Sequence, residues 1–150
     1  TDWWTKESSD QFTARSARIV QQFSAYVAID ALRVNGELTQ GENIADLGGA
    51  KIAYGALQRA LADKPRTPID GFTPEQRFFA SWATIWRINA RPEAIRLRVN
   101  TDPHSPGEFR ANGPLVNLPE FAKAFDIPEG SPMSRPAAER VTICFNSPGE

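Results

Sequence analysis

With 150 residues, a net charge of −1, 41% hydrophobic and 23% charged residues, the chain has the make-up of a single soluble globular domain. It lacks the basic excess of a nucleic-acid binder, and no apolar run reaches the eighteen or so residues of a membrane span. Cys144 is the single cysteine, which excludes an internal disulfide framework and a cysteine-rich metal cluster and leaves the compartment open.

The chain opens on Thr1-Asp2-Trp3-Trp4, with no charged-then-apolar leader. Two tryptophans are costly to leave in water, so this start is expected to be a cut inside a larger fold. Ser8, Ser9 and Asp10 offer capping side chains before Phe12, Ile19, Phe23, Tyr26 or Val27 and Leu32, a spacing that predicts a long amphipathic helix. Asn35-Gly36 then signals a turn.

A second helix is expected from about Gly41 to Ala62, opening with Gly41-Glu42-Asn43-Ile44-Ala45-Asp46-Leu47-Gly48-Gly49. Glu42 and Asp46 are four apart and so stack on one face, while Ile44, Leu47, Tyr54, Leu57 and Leu61 mark an apolar one. Each of Gly48 and Gly49 costs such a helix about 1 kcal/mol relative to Ala, so another backbone or a ligand is expected to approach there.

After a Pro/Gly loop from Lys64 to Gly71, Thr73-Pro74-Glu75-Gln76 combines a capping residue, a proline at the first helical position and a glutamine three residues after the cap. Phe78, Phe79, Trp82, Ile85, Trp86 and Ile88 follow over most of the girth, which predicts a helix buried on more than one side. Pro92 begins a shorter helix through Ile95, Leu97 and Val99, ending near Asp102-Pro103. Pro103 to Pro119 reads as a loop that holds the only histidine, His104, and Arg110. Leu118 to Phe125 reads as a short amphipathic helix, Arg140-Val141-Thr142-Ile143-Cys144 as the only strand-like run, and Asn146 to Glu150 as a polar tail.

Acids at this spacing ordinarily belong to a solvated helix face, and a lone loop histidine is ordinarily structural. Carboxylates on one helix face also point the same way, unlike the flanking pair of a glycosidase. Met133 and the aromatic stripe of the third helix read as core, and Lys51 as an exposed or snorkelled charge.

The order of the motifs changes this. Glu42-Asn43-Ile44-Ala45-Asp46 before Gly48-Gly49, then Asp102-Pro103-His104-Ser105-Pro106-Gly107-Glu108-Phe109-Arg110, then Asn112-Gly113-Pro114-Leu115 with Asn117 and Pro119-Glu120-Phe121, resembles the neprilysin family of zinc metallopeptidases over nearly the whole chain. Asp2-Trp3-Trp4-Thr5 is similar to the family's sequence just after its zinc-binding helix.

The resemblance implies that Glu42 is the third protein ligand of a catalytic Zn²⁺. It makes Asp46 the partner that orients a ligating histidine, and losing such a partner typically costs about 10–100-fold. His104 becomes a hydrogen-bond donor to the oxyanion, with Asp102 helping to orient it, and Arg110 the group that holds the substrate carbonyl. Three departures stand out. The family's remaining ligands and general base lie in a His-Glu-x-x-His helix, and this sequence has one histidine and no such motif. The family's Asn-Ala substrate-binding edge strand is absent too. At the other end, Cys144 and a foreign-looking tail stand where the family commonly closes on a tryptophan.

The reading that follows is a mainly α fragment, the C-terminal helical lobe of a thermolysin-like (gluzincin) zinc metalloendopeptidase, with at most a short strand near its C-terminus. Residues 1–150 form one piece, with the third-ligand helix at about 41–62 and the substrate loop at about 102–117. Zinc belongs to the full-length parent and is not expected to be held tightly by this chain, which should be inactive alone. The implied partners are a peptide substrate, the upstream part of the same polypeptide and further copies of the fragment. A bacterial protein, secreted, periplasmic or cytoplasmic, is expected. The alternative is a non-catalytic helical module on the same scaffold that binds a peptide or partner chain.

Overall fold

Helix α1 (Lys6–Ser24) starts at Thr5, whose extended backbone and hydroxyl cap it by accepting the Ser8 N–H at 3.1 Å. The expected caps Ser8, Ser9 and Asp10 therefore lie inside its first turns. The structure is a computed structural model and describes residues 4–142. The helix stops well short of Leu32. Strands β1 (Val27–Ile29) and β2 (Leu32–Arg33) form an antiparallel hairpin instead, turned at Asp30, whose φ of 53° is left-handed. Val27 and Ile29 are β-branched, and aspartate is among the few side chains that tolerate that turn geometry, so the hairpin prevails over a helical spacing.

Helix α2 (Gln40–Ala60) carries the acids, and α3 (Pro74–Ile85) begins in a complete capping box between Thr73 and Gln76. Helix α4 (Pro92–Thr101) follows, then α5 (Gly107–Asn112), which occupies part of the segment read as loop. A 3₁₀ turn at Leu115–Asn117 leads into α6 (Pro119–Ala124), and another at Ala137–Glu139 precedes the end of the described chain.

The core joins Ile19 and Phe23 of α1, Leu47 and Ala50 of α2, Phe79 of α3, Phe109 of α5 and Phe121 of α6. Phe79 stacks on Tyr54 and meets Phe121 edge-on, and Phe109 stacks on Tyr26 at 4.8 Å. Such ring pairs contribute about 0.5–1.5 kcal/mol each beyond their buried area. Helix α3 is less enclosed than its aromatic spacing predicts: only Pro74 and Phe79 are fully buried, while Ile85 is 64% exposed and Ile88, just past the helix, 61%.

A polar network pins the C-terminal segment. Gln22 donates to the Gly113 carbonyl and the Tyr26 hydroxyl, and Asn117 donates to Gln22 and to the Gly113 carbonyl. The Asn117 side-chain oxygen accepts the Val141 N–H at 3.1 Å. Residues 140–142 pair with no strand among the described residues, and Ile143 and Cys144 of the expected strand lie outside them, as does Trp3. Of the backbone or ligand expected to approach Gly48-Gly49, no backbone of this chain does so: among the described residues, nothing beyond the chain neighbours and the helix's own backbone comes within 4 Å of a Cβ built at either. No helix among the described residues is long and apolar enough to cross a membrane.

Gly113 does have such a neighbour. A Cβ there would stand 2.5 Å from the ring of Phe23, which is 1% exposed and cannot retreat. Gly113→Ala should therefore destabilise the chain by about 1–3 kcal/mol through overpacking in urea unfolding; an unchanged midpoint would show that this junction is loosely packed.

Candidate active site

The first two turns of α2 set the stage. Glu42 leaves its carboxylate part-exposed, while Asp46, one turn on, is buried. The connection from α4 to α5 crosses in front of them. Asp102 ends α4 by donating its N–H to the Arg98 carbonyl at 2.8 Å, and its Oδ1 then accepts both the backbone N–H of His104 at 3.0 Å and the ring Nδ1 at 2.8 Å. One carboxylate thus fixes both the backbone and the ring of the histidine. The other ring nitrogen, Nε2, stands 3.2 Å from Oε2 of Glu42.

Helix α5 brings Arg110. Its Nε and Nη2 donate to the two oxygens of Asp46 at 2.7 and 2.8 Å, a bidentate pair, and Nη2 lies 3.8 Å from Glu42. The guanidinium also lies over the indole of Trp86 at 3.9 Å from the ring centre. The start of α5 is pressed against that same residue, since a Cβ at Gly107 would stand 2.6 Å from the Trp86 carbonyl. Trp82 completes the cradle by donating its indole N–H to the Arg110 carbonyl at 3.2 Å.

The structure therefore brings Glu42, Asp46, Asp102, His104 and Arg110 onto one wall. Asp46, which the resemblance makes the partner of a ligating histidine, accepts from Arg110 at both oxygens here, and each oxygen keeps a second lone pair for a further donor. Sequence reasoning missed Trp86, which its helical spacing assigned to the core; nothing in the periodicity separates a core indole from one that carries a guanidinium. A cavity of about 360 Å³ lies beside the wall, lined among others by Trp86, Ile95, Arg98, Phe109 and Arg110.

Chemically, the wall offers an oxygen ligand for a cation, the Glu42 carboxylate, beside an imidazole and a guanidinium fixed where they can donate to a carbonyl or anionic oxygen. Among the described residues, no group of three or more His, Cys, Asp or Glu side chains comes together to hold a metal ion. Glu42 can supply one oxygen ligand, and a catalytic zinc site of this kind takes three protein ligands.

A helical lobe with this wall is the architecture of a thermolysin-like peptidase, and comparisons place the chain within that class. Residues 1–141 match the model of peptidase family M13. The chain is 43% identical over 139 residues to neprilysin-1 of Caenorhabditis elegans, covering 89% of this chain and 18% of that protein. It is 42% identical over 137 residues to membrane metallo-endopeptidase-like 1 of Mus musculus, covering 88% and 18%. Among solved structures, the zinc metalloprotease Zmp1 of Mycobacterium tuberculosis, crystallised with an inhibitor, superposes with a TM-score of 0.89 at 43% identity, covering 95% of this chain and 23% of that one. The chain belongs to peptidase family M13, the neprilysin family, and spans about a fifth of the length of the curated relatives it matches.

The Asp102 contacts make a pH-dependent prediction. The His104 backbone N–H first, and then its ring, hold the Asp102 carboxyl below the usual carboxylate range. A depressed folded-state pKa means that the stabilisation is complete above the unfolded value of about 3.9 and is lost as pH falls through the folded one. Asp102→Asn should therefore unfold in less urea than the parent chain at pH 7, with the gap narrowing below about pH 4; a gap independent of pH would assign the loss to packing.

Proposed function

We propose that the chain is the C-terminal part of the catalytic domain of a zinc metalloendopeptidase and contributes one side of its active site. The observation that carries this reading is the meeting of His104 Nε2 and Arg110 Nη2 at 3.2 and 3.8 Å from the same oxygen of Glu42. A structural helix face has no need of two such groups at one oxygen.

In this reading Glu42 is one zinc ligand, and the others come from outside this chain, which has a single histidine and no His-Glu-x-x-His. The donor set fits one corner of such a site: a part-exposed carboxylate whose described polar contacts are ionic and can be exchanged. When bound, zinc supplies the Lewis acidity that activates water and polarises the scissile carbonyl.

The chain's own residues do the rest. Asp102 holds the His104 ring through Nδ1, and with both ring nitrogens carrying a proton Nε2 donates to the negative charge developing on the peptide oxygen, a contact typically worth roughly 3–4 kcal/mol. Arg110 holds the substrate carbonyl in place, and Asp46 and Trp86 keep its guanidinium rigid, so little orientation is lost when substrate binds. By itself the chain is inactive, because one carboxylate does not retain a catalytic metal. The rival reading, a non-catalytic peptide-docking module on the same scaffold, draws on the same wall and on the exposed Ile85, Ile88 and Leu97.

The test is reconstitution. The chain is mixed with a separately made upstream portion of its polypeptide and zinc, and cleavage of a short peptide is followed. Chelator-sensitive cleavage should appear in the mixture alone, and Glu42→Gln should weaken zinc binding and lower cleavage by at least about 10–100-fold, the scale on which even supporting groups of a zinc site act. Robust cleavage by the chain alone, or a mixture that binds zinc equally well with Glu42→Gln, overturns this reading.

A further inference from the structure

We infer that Ser105 is a positioning residue of the active-site wall, setting the distance between His104 and Glu42 through a buried hydrogen bond to Asn43 of α2, which is itself held by Thr39. Its catalytic consequence rests on the function proposed above, while its structural consequence does not.

Ser105 is the buried point of an otherwise open crossing. It is 4% exposed, whereas Pro103 and His104 before it are exposed and Pro106 after it is half-buried. Its hydroxyl donates to Oδ1 of Asn43 at 2.8 Å, across 62 residues of sequence. Asn43 is 1% exposed, and its amide nitrogen donates to the Thr39 hydroxyl at 2.9 Å. Thr39, 2% exposed, donates that hydroxyl to the Asn35 carbonyl at 2.9 Å.

Hydrogen-bond direction fixes this relay. The Thr39 hydroxyl gives its one proton to a carbonyl and can only accept from Asn43. The Asn43 amide is thereby turned with its nitrogen toward Thr39 and its oxygen toward Ser105, so Ser105 must be the donor. The Ser105–Asn43 and Asn43–Thr39 links are buried, so breaking either leaves a buried polar group without a partner, at about 1–3 kcal/mol.

The two ends of the relay explain its role. Asn43 follows Glu42 directly, and Ser105 follows His104 directly. The Ser105–Asn43 bond therefore ties together the backbones that carry the carboxylate and the imidazole, while Asp102 holds the backbone and ring of His104 only within the crossing itself. Without the Ser105 hydroxyl, Asp102 would still orient the ring and Arg110 would still clamp α5 to α2, but no buried hydrogen bond would hold the crossing itself at its depth beside Glu42. A displacement of about 1 Å at a reacting centre can cost 10²-fold in rate.

The experiment has two arms. His104 is the only histidine, so its ring signals are assigned in the complete chain without ambiguity among histidines. In the first arm, NMR cross-peaks between the His104 ring and the Glu42 side chain are compared in the unmodified chain, Ser105→Ala and Asn43→Ala. They should be strong in the first and lost in both variants while the Trp82 indole signals stay in place. Ser105→Thr, which keeps the hydroxyl, should retain them, and Ser105→Cys, a weaker donor kept for the case in which alanine unfolds the chain, should diminish them. Cross-peaks that persist in folded Ser105→Ala or undiminished in Ser105→Cys overturn the inference whatever the activity.

In the second arm, peptide cleavage is measured in the zinc-loaded mixture. Ser105→Ala should lower kcat about 10-fold or more with KM and zinc affinity little changed, and should have no further effect in a His104→Ala background. An effect that persists undiminished in that background also overturns the inference. A mixture with the unmodified chain that cleaves nothing is a failure of the proposed function instead, and the first arm then decides the inference alone.

Discussion

The wall depends on the Arg110–Asp46 pair. Both side chains are largely withdrawn from water, 15% and 9% exposed, and each satisfies the other with two short hydrogen bonds. Removing one partner of such a pair strands the other charge in a poorly hydrated place, at about 3–5 kcal/mol. The pair therefore acts as a clamp between α5 and α2, and everything on the crossing between α4 and α5 is placed relative to it. Trp86 adds a flat surface under the guanidinium, which limits its tilt as well as its position.

Rigid polar links on this face contrast with loose apolar surface elsewhere. Asp46, His104 and Arg110 are held by short, directional contacts, whereas Ile52, Ile85, Ile88 and Leu97 remain more than half exposed. A chain that spans about a fifth of its curated relatives' length and leaves these residues bare suits a lobe that packs against more protein, which is how the proposed function treats it.

Much of this was legible in the sequence wherever the cause is local. The four-residue spacing of Glu42 and Asp46, the Thr73–Gln76 capping box and the prolines that open α3, α4 and α6 depend on near neighbours and emerge where expected. The hairpin at 27–33 was not legible, because Tyr26, Val27 and Leu32 fit a helical period as well as a strand, and only the left-handed turn at Asp30 decides between them. Helix α5 was hidden in a stretch rich in proline, glycine and asparagine, where packing against Trp86 and Phe23 outweighs propensity. The Asp46–Arg110 and Asn43–Ser105 bonds join residues 64 and 62 positions apart. Such contacts leave no periodic trace in one sequence.

The central claim is that Glu42 forms one corner of a zinc site completed from outside this chain. Its most direct test is a crystal structure of the zinc-loaded assembly of the chain with the upstream portion of its polypeptide, with the metal located by its anomalous signal. The account predicts zinc about 2.0–2.2 Å from a Glu42 carboxylate oxygen, with the remaining protein ligands supplied by the upstream portion. Zinc held by a ligand set that omits Glu42 would contradict it.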